Sequence, residues 1–198
     1  MKRIIIITGT PGTGKTTIAE KLCRKLNNSE LLRSNSLIKE FGLYKYRTKD
    51  GELVADMERL RNELERKARK SAADTVIIEG HLLCDIRIKG ATAIVIREHL
   101  RKLQKRMIAR HYKESKINNN IVAEAVDYCG INAEKNYEKV YEIIGGDNAV
   151  ENIIGILEGR QKPLKQIELL DELNHFIKTP KQKKIKKRYA SVALRQSY

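Results

Sequence analysis

Gly9-Thr10-Pro11-Gly12-Thr13-Gly14-Lys15-Thr16 satisfies the pattern GxxxxGK[ST] at every fixed position. The pattern is a device for holding phosphate. Glycines let the backbone curl so that several N–H groups point inward, and a side chain there would block the anion. The helix expected next directs its N-terminal amides and the positive end of its dipole at the same charge. Lys15 is placed to reach the outer phosphates, and the Thr16 hydroxyl to ligate Mg²⁺. Thr17 adds a hydroxyl or backbone contact further back along the phosphate chain. On this reading the loop Gly9–Thr17 binds the phosphates of ATP. Lys15 is expected to stand among solvent and ligand rather than in the core.

Phosphate loops of this kind work with a second acid at the end of a neighbouring strand, which helps to hold the metal. Val76-Ile77-Ile78-Glu79 fits, because an apolar run ends in a carboxylate where open parallel sheets place their sites. Glu79 either serves the metal or caps the next turn. His81 follows two residues on, and serves in proton transfer, in placing a water, or as an ordinary surface or core histidine. Arg106 and Arg110 are four apart and share a helix face. An arginine folding over the γ-phosphate would stabilise transition-state charge. Arg97 and Arg101 read as solvated surface.

The elements that must position these groups follow from hydrophobic spacing. Arg3–Thr8 reads as a buried strand, since four isoleucines run without alternation. Ile18, Leu22 and Leu26 mark the helix after the loop. Leu31–Ser34 reads as a short strand, Ser36–Phe41 as a short helix, and Leu43–Ala55 as polar loop. Asp56 caps a helix over Met57–Lys70, whose stripe is Met57, Leu60, Leu64 and Ala68. Thr75–Glu79 and Ala91–Ile96 are further buried strands. A helix with Leu100, Leu103 and Met107 inward comes next, then one long helix over Asn118–Glu134. Lys139–Ile144 is a last strand, Gly145-Gly146 a turn, and Ala149–Glu158 a last helix of the domain. Strand and helix alternate, which argues for a parallel sheet covered by helices on both faces.

The chain of 198 residues is long enough for one full domain. Its net charge is +15, and residues 160–198 hold eleven Lys or Arg against three Asp or Glu. The excess concentrated there points to an anionic partner such as nucleotide or RNA. Within that stretch Leu169, Leu170, Leu173, Phe176 and Ile177 lie at helical spacing, expected to pack on the main domain, and Lys181–Arg188 forms a basic run. Cys23, Cys84 and Cys129 are far apart and odd in number, which argues against a disulfide framework or a zinc site. The Ile4–Ile7 run is too short for a signal peptide or a membrane span. A cytoplasmic protein is expected.

Four stretches in this order resemble the nucleoside monophosphate kinases of the adenylate kinase isoenzyme 6 type, in their archaeal form. They are Thr8–Thr17, Glu79-Gly80-His81, the apolar strand into Ile96-Arg97, and Arg110-His111-Tyr112-Lys113-Glu114-Ser115-Lys116-Ile117 with Asn118–Asn120, Ile121 and Glu124. The last stretch is the most particular. The resemblance covers residues 1–159 and implies an α/β P-loop fold of three layers with a five-stranded parallel sheet. It implies a nucleoside monophosphate (NMP)-binding segment near 30–55 and a short lid near 109–119. Residues 160–198 stand outside it as a basic extension. It also implies transfer of phosphate from ATP to AMP and other monophosphates, ATPase activity besides, and a part in small ribosomal subunit maturation, with a ribosomal protein and rRNA as partners. By motif, Gly12, Gly14, Lys15, Thr16 and Thr17 would bind ATP, Arg110 would be the lid arginine, and Glu79 and His81 would complete the catalytic set. Glu79 stands where eukaryotic members have aspartate. The segment Ser34–Lys39 departs from the family, lacking an acidic start and carrying Lys39 where arginine is expected. Lysine cannot grip phosphate with two parallel bonds. The alternative beside the kinase is an assembly ATPase whose hydrolysis times release from a partner; a third class, the shikimate- or cytidylate-type kinases, shares the loop but lacks the Arg110–Glu124 pattern.

Overall fold

The computed structural model describes residues 2–49, 51–160, 167–174 and 176. The basic run Lys181–Arg188 lies outside them. Five parallel strands form the sheet: β1 (Arg3–Thr8), β2 (Ser29–Arg33), β5 (Thr75–Glu79), β6 (Ala91–Arg97) and β7 (Lys139–Ile144), in the order β2-β5-β1-β6-β7. The register pairs Ile7 with both Glu79 and Ile94, so β1 sits centrally between β5 and β6.

The unbroken isoleucines of β1 are explained by burial on both faces. Ile5 and Ile7 face α1 (Lys15–Lys25) and α7 (Ala149–Leu157), packing with Ile18, Leu22 and Ile153. Ile6 faces the opposite layer, where Leu60 and Leu64 of α3 (Met57–Lys70) and Ala133 of α6 (Tyr128–Asn136) lie. Asp56 caps α3 by accepting from the Arg59 amide at 3.1 Å, which is the bond its side chain was expected to make. A third apolar cluster joins α4 (Leu100–Ala109) to α5 (Glu114–Ala125) through Leu103, Met107, Ile117 and Ile121. Leu169 and Leu173 bury themselves in that cluster, and Leu173 belongs to a short helix α8 (Leu170–Asn174).

Three expectations are corrected. The stretch read as polar loop contains a hairpin of β3 (Tyr44–Arg47) and β4 (Leu53–Ala55), antiparallel, between α2 (Ser34–Glu40) and α3. All of β3 is exposed, and its alternation, Tyr44-Lys45-Tyr46-Arg47, is too short and too polar to stand out as a strand. The long helix over Asn118–Glu134 is broken into α5 and α6. Asp127 takes the left-handed conformation (φ 53°) and caps α6 through the Gly130 amide at 3.1 Å. The apolar spacing runs on through this break, so periodicity alone does not see it. Arg97, read as surface, is 1% exposed. It ends β6 inside a cage of carboxylates, with Glu124 at 3.1 Å, Asp127 at 2.6 Å and Glu142 at 3.0 Å. Among the described residues no helix is long and apolar enough to cross a membrane.

Candidate active site

The site lies at the carboxyl ends of β1 and β5, where an open parallel sheet leaves a crevice. The loop leaves β1 at Gly9 with φ 136°, and a Cβ there would stand 2.3 Å from the Ile96 carbonyl oxygen of the neighbouring strand. Only glycine allows that approach. Gly12 (φ 95°) and Gly14 (φ 96°) take the left-handed region and turn the chain into α1, which begins at Lys15.

Lys15 is buried, at 6% exposure, which corrects the expectation that solvent surrounds it. Its ammonium donates to the Thr10 carbonyl at 2.9 Å. Burial pushes its pKa down, while the charge of Glu79 pushes it back up. The Thr16 hydroxyl donates to Glu79 Oε1 at 3.2 Å. Glu79 is itself buried at the last position of β5. The loop and the second strand are therefore joined by the two groups expected to share a metal. Both are hard oxygen donors, the chemistry Mg²⁺ takes, so the residues present fit that ion.

His81 opens a 3-10 turn (His81–Asp85) directly after Glu79-Gly80. It is half-buried, and its pKa falls to about 4 through burial, with Lys15 and then Lys116 adding to the shift. The imidazole is thus neutral at neutral pH, free to accept a hydrogen bond from water. Lys116, in the first turn of α5, pairs with Glu52 next to β4 at 2.5 Å. The expected lid and the expected NMP-binding segment meet at this ion pair.

On the other side of the loop a cleft of about 230 Å³ opens between Gly14, Thr17, Arg106, Arg110, Gly146 and Asp147. Arg110, the residue that caps the C-terminal end of α4, is exposed on its wall. Arg106 sits closer in. It donates to the Gly12 carbonyl at 3.2 Å and pairs with the buried Glu98 at 2.7 Å. Arg101, although on the same helix, is exposed and away from this cleft, facing His99, Asp171 and Glu172. Lys39 is exposed in the last turn of α2.

The structure therefore brings together Gly12, Gly14, Lys15, Thr16, Thr17, Glu79 and His81, and sets Arg110 on the cleft wall. Sequence reasoning missed Glu98 and the loop contact of Arg106. It also missed the bond between the Thr10 hydroxyl and Glu124 Oε2, which spans 114 residues. An acid directly after the end of β6 was the one available signal for Glu98.

Residues 5–127 match a family described as an AAA domain. A protein of Methanosarcina acetivorans named "Putative adenylate kinase" is 36% identical over 181 residues, which cover 82% of this chain and 92% of that protein. A protein of Pyrococcus abyssi with the same name is 33% identical, over 88% of this chain and 97% of its own length. Among solved structures, shikimate kinase from Bacteroides thetaiotaomicron superposes with a TM-score of 0.57 at 19% identity, covering 79% of this chain and 98% of that one. Shikimate kinase from Aquifex aeolicus gives 0.52 at 20% identity, over 79% of this chain and 96% of its own. At these identities the structural likeness concerns the fold.

Proposed function

The chain belongs to the adenylate-kinase-like P-loop family, and from that membership we propose that it transfers the γ-phosphate of ATP to AMP or another nucleoside monophosphate. The observation that carries this reading is the Thr16–Glu79 contact at 3.2 Å beside the Lys15 ammonium. Loop, lysine, hydroxyl and second-strand acid are the parts from which phosphoryl transfer is assembled. In this assignment the loop amides and Lys15 hold the phosphates, and Thr16 and Glu79 hold Mg²⁺. Held there, the ion would supply charge neutralisation for the transferring phosphate. Arg110 swings from the cleft wall onto the transferring group. The hairpin β3–β4 and α2 receive the acceptor. The archaeal relatives named for adenylate kinase favour a monophosphate over shikimate as that acceptor.

The experiment is ADP formation from Mg²⁺-ATP in the presence of AMP, CMP, shikimate or no acceptor. Strong stimulation by a monophosphate supports the reading. Stimulation by shikimate alone overturns the acceptor assignment.

A second activity, ATP hydrolysis without an acceptor, is favoured by the neutral His81 next to Glu79, which can orient a water. With the basic excess of residues 160–198 it supports a role in small ribosomal subunit maturation, with rRNA and a ribosomal protein as partners. Hydrolysis stimulated by small-subunit components more than by AMP would make this the primary role. In that case truncation after Thr179 should flatten the salt dependence of rRNA binding, whose slope is about 0.7 per phosphate contact on single strands. Binding unchanged by the truncation at several salt concentrations removes the basic run from the account.

A further inference from the structure

Thr10 is the most heavily bonded residue of the phosphate loop. Its carbonyl oxygen accepts from Lys15 Nζ at 2.9 Å, from the Thr13 hydroxyl at 3.0 Å and from the Thr13 amide at 3.3 Å. Its hydroxyl donates to Glu124 Oε2. Glu124 is 1% exposed and lies in the last turn of α5. Its other oxygen accepts from Arg97 Nε at 3.1 Å and from the Glu98 amide at 2.9 Å, and its backbone carbonyl accepts from Arg97 Nη2 at 2.8 Å. Both carboxylate oxygens are committed, and Arg97 is fixed in turn by Asp127 and Glu142. The carboxylate cannot drift, so neither can the hydroxyl it holds.

This matters for what Lys15 has to do. When phosphate enters, the ammonium must direct at least one of its three N–H donors at the anion, which loosens its hold on the Thr10 carbonyl. The carbonyl must then stay turned away, because an oxygen swinging into the phosphate seat would repel the ligand. The Thr13 hydroxyl and amide hold that carbonyl on one side, and the Thr10–Glu124 bond anchors the residue on the other. The same helix carries Lys116 about 12 Å nearer its start, at 1.5 Å per residue, and Lys116 is paired with Glu52 of the acceptor hairpin. One helix thus has one end on the hairpin and the other on the loop.

We propose that Glu124 is a positioning residue for phosphoryl transfer: through Thr10 it fixes the phosphate loop, and through α5 it couples ATP binding to acceptor binding. The proposal rests on the reading of Gly9–Thr17 as an ATP site. Glu124 touches no substrate itself. Coupling of this kind is reciprocal, so the acceptor should strengthen ATP binding as much as ATP strengthens acceptor binding.

The test uses the full chain and a fluorescent non-hydrolysable ATP analogue, titrated with and without AMP, alongside thermal melts. Thr10→Val keeps the shape and removes the hydroxyl. Released from Glu124, the loop should hold its binding-competent form only about a tenth of the time or less, which raises the analogue's Kd about 10-fold or more. Glu124 Oε1 keeps Arg97 Nε and the Glu98 amide while Oε2 loses the Thr10 donor, so the melting temperature should fall by roughly 2–12 °C. Thr10→Ser restores the hydroxyl and should return Kd to within about threefold of wild type. AMP should tighten analogue binding in wild type and in Thr10→Ser, and no longer in Thr10→Val. A Thr10→Val chain that melts early but binds the analogue normally shows a merely structural bond and overturns the proposal. So does failure of Thr10→Ser to restore binding, or an AMP effect that is absent from wild type or undiminished in Thr10→Val. If the wild-type chain does not bind the analogue at all, the ATP-site reading itself falls, and this proposal with it.

Discussion

The Thr16 hydroxyl and the Glu79 carboxylate meet at 3.2 Å, although 63 residues separate them in sequence. Glu79 is at the last position of β5, and the parallel register sets it opposite Ile7, so β5 ends where the loop begins. Glu79→Gln keeps the size and the hydrogen bond and loses the charge. Turnover at saturating ATP should fall on the order of 10²-fold, with a higher Mg²⁺ requirement, while ATP affinity changes little because the loop amides still hold the phosphates. A Mg²⁺ titration of turnover, set against ATP binding measured separately, decides this. Equal Mg²⁺ dependence in both proteins would make Glu79 a cap of the following turn.

Lys15 presents a different balance. Its charge is buried and its pKa is lowered by desolvation, so the ligand-free fold bears a cost for keeping it. Lys15→Met retains the packing volume and removes that cost. The variant should lose phosphoryl transfer by at least about 10³-fold, yet melt no lower than wild type. Retained turnover in a normally melting variant would sink the assignment of the loop.

Arg101 and Arg106 of α4 and Arg110 just past its end should separate cleanly. Arg110→Ala should reduce turnover on the order of 10³-fold if it acts on the transferring phosphoryl group as an arginine finger does. Arg101→Ala, exposed and facing away from the cleft, should leave turnover within about twofold of wild type. Arg106→Ala breaks contacts to Gly12 and Glu98 and should weaken ATP binding as well as turnover. Steady-state kinetics on the three variants would show a misplaced lid if Arg110 and Arg101 behaved alike.

His81 yields a pH prediction with a fixed sign. Its folded pKa of about 4 lies below the ordinary histidine value, chiefly through burial. Between those values the unfolded chain takes up a proton that the folded chain refuses, so stability falls as pH drops from about 6.5 towards 4. Urea unfolding at pH 7.5 and pH 5 should differ by about 1–2 kcal/mol less in His81→Gln than in wild type. The same variant should slow ATP hydrolysis measured without acceptor. Identical pH dependence in the two proteins would place the imidazole in open solvent.

The parts of this fold that could be read in advance are those where one residue type has one reason to be there. Four isoleucines in a row need two buried faces, and β1 supplies them. Asp56 before an amphipathic stripe needs a helix to cap, and α3 supplies it. The loop was legible because glycine, lysine and threonine at those spacings serve few purposes other than phosphate. The misses share a cause, which is that tertiary contacts decided them. The strand β3 shows no face to the core, Asp127 breaks a helix whose apolar spacing continues, and Arg97 is buried only because three carboxylates distant in sequence surround it. Nothing local to Thr10 or to Glu124 signals that they touch.

The last prediction concerns the C-terminal segment, whose docking on α4 and α5 combines apolar and polar contacts. Leu173 is 1% exposed among Leu100, Leu103 and Ile121. Next to it, Glu172 performs a task that α4 leaves undone. His99, the residue before α4, makes no side-chain cap. Glu172 Oε2 instead accepts from the Leu100 amide at 2.9 Å, and Oε1 lies 2.6 Å from His99 Nδ1. A carboxylate from a distant segment thus satisfies the open amides and the dipole of this helix start. Burial works to raise the Glu172 pKa, but His99 and the Leu100 amide outweigh it, and the carboxyl lies below its ordinary value. A depressed carboxylate contributes stability above its unfolded pKa and loses it as pH falls through the folded one. Leu173→Ala should therefore cost about 2–4 kcal/mol at any pH through the cavity it leaves. Glu172→Gln should cost about 0.5–1 kcal/mol at pH 7, the lower end for a cap because the side chain is one-third exposed. That smaller deficit should shrink towards zero as pH drops below about 4, where wild type loses the same charge. Chemical unfolding of both variants at pH 7 and pH 4 reads all three expectations. A Leu173→Ala chain as stable as wild type would mean that the segment is not seated on α4 and α5 in solution. A Glu172→Gln deficit that persists unchanged at pH 4 would mean that charge has no part in the cap.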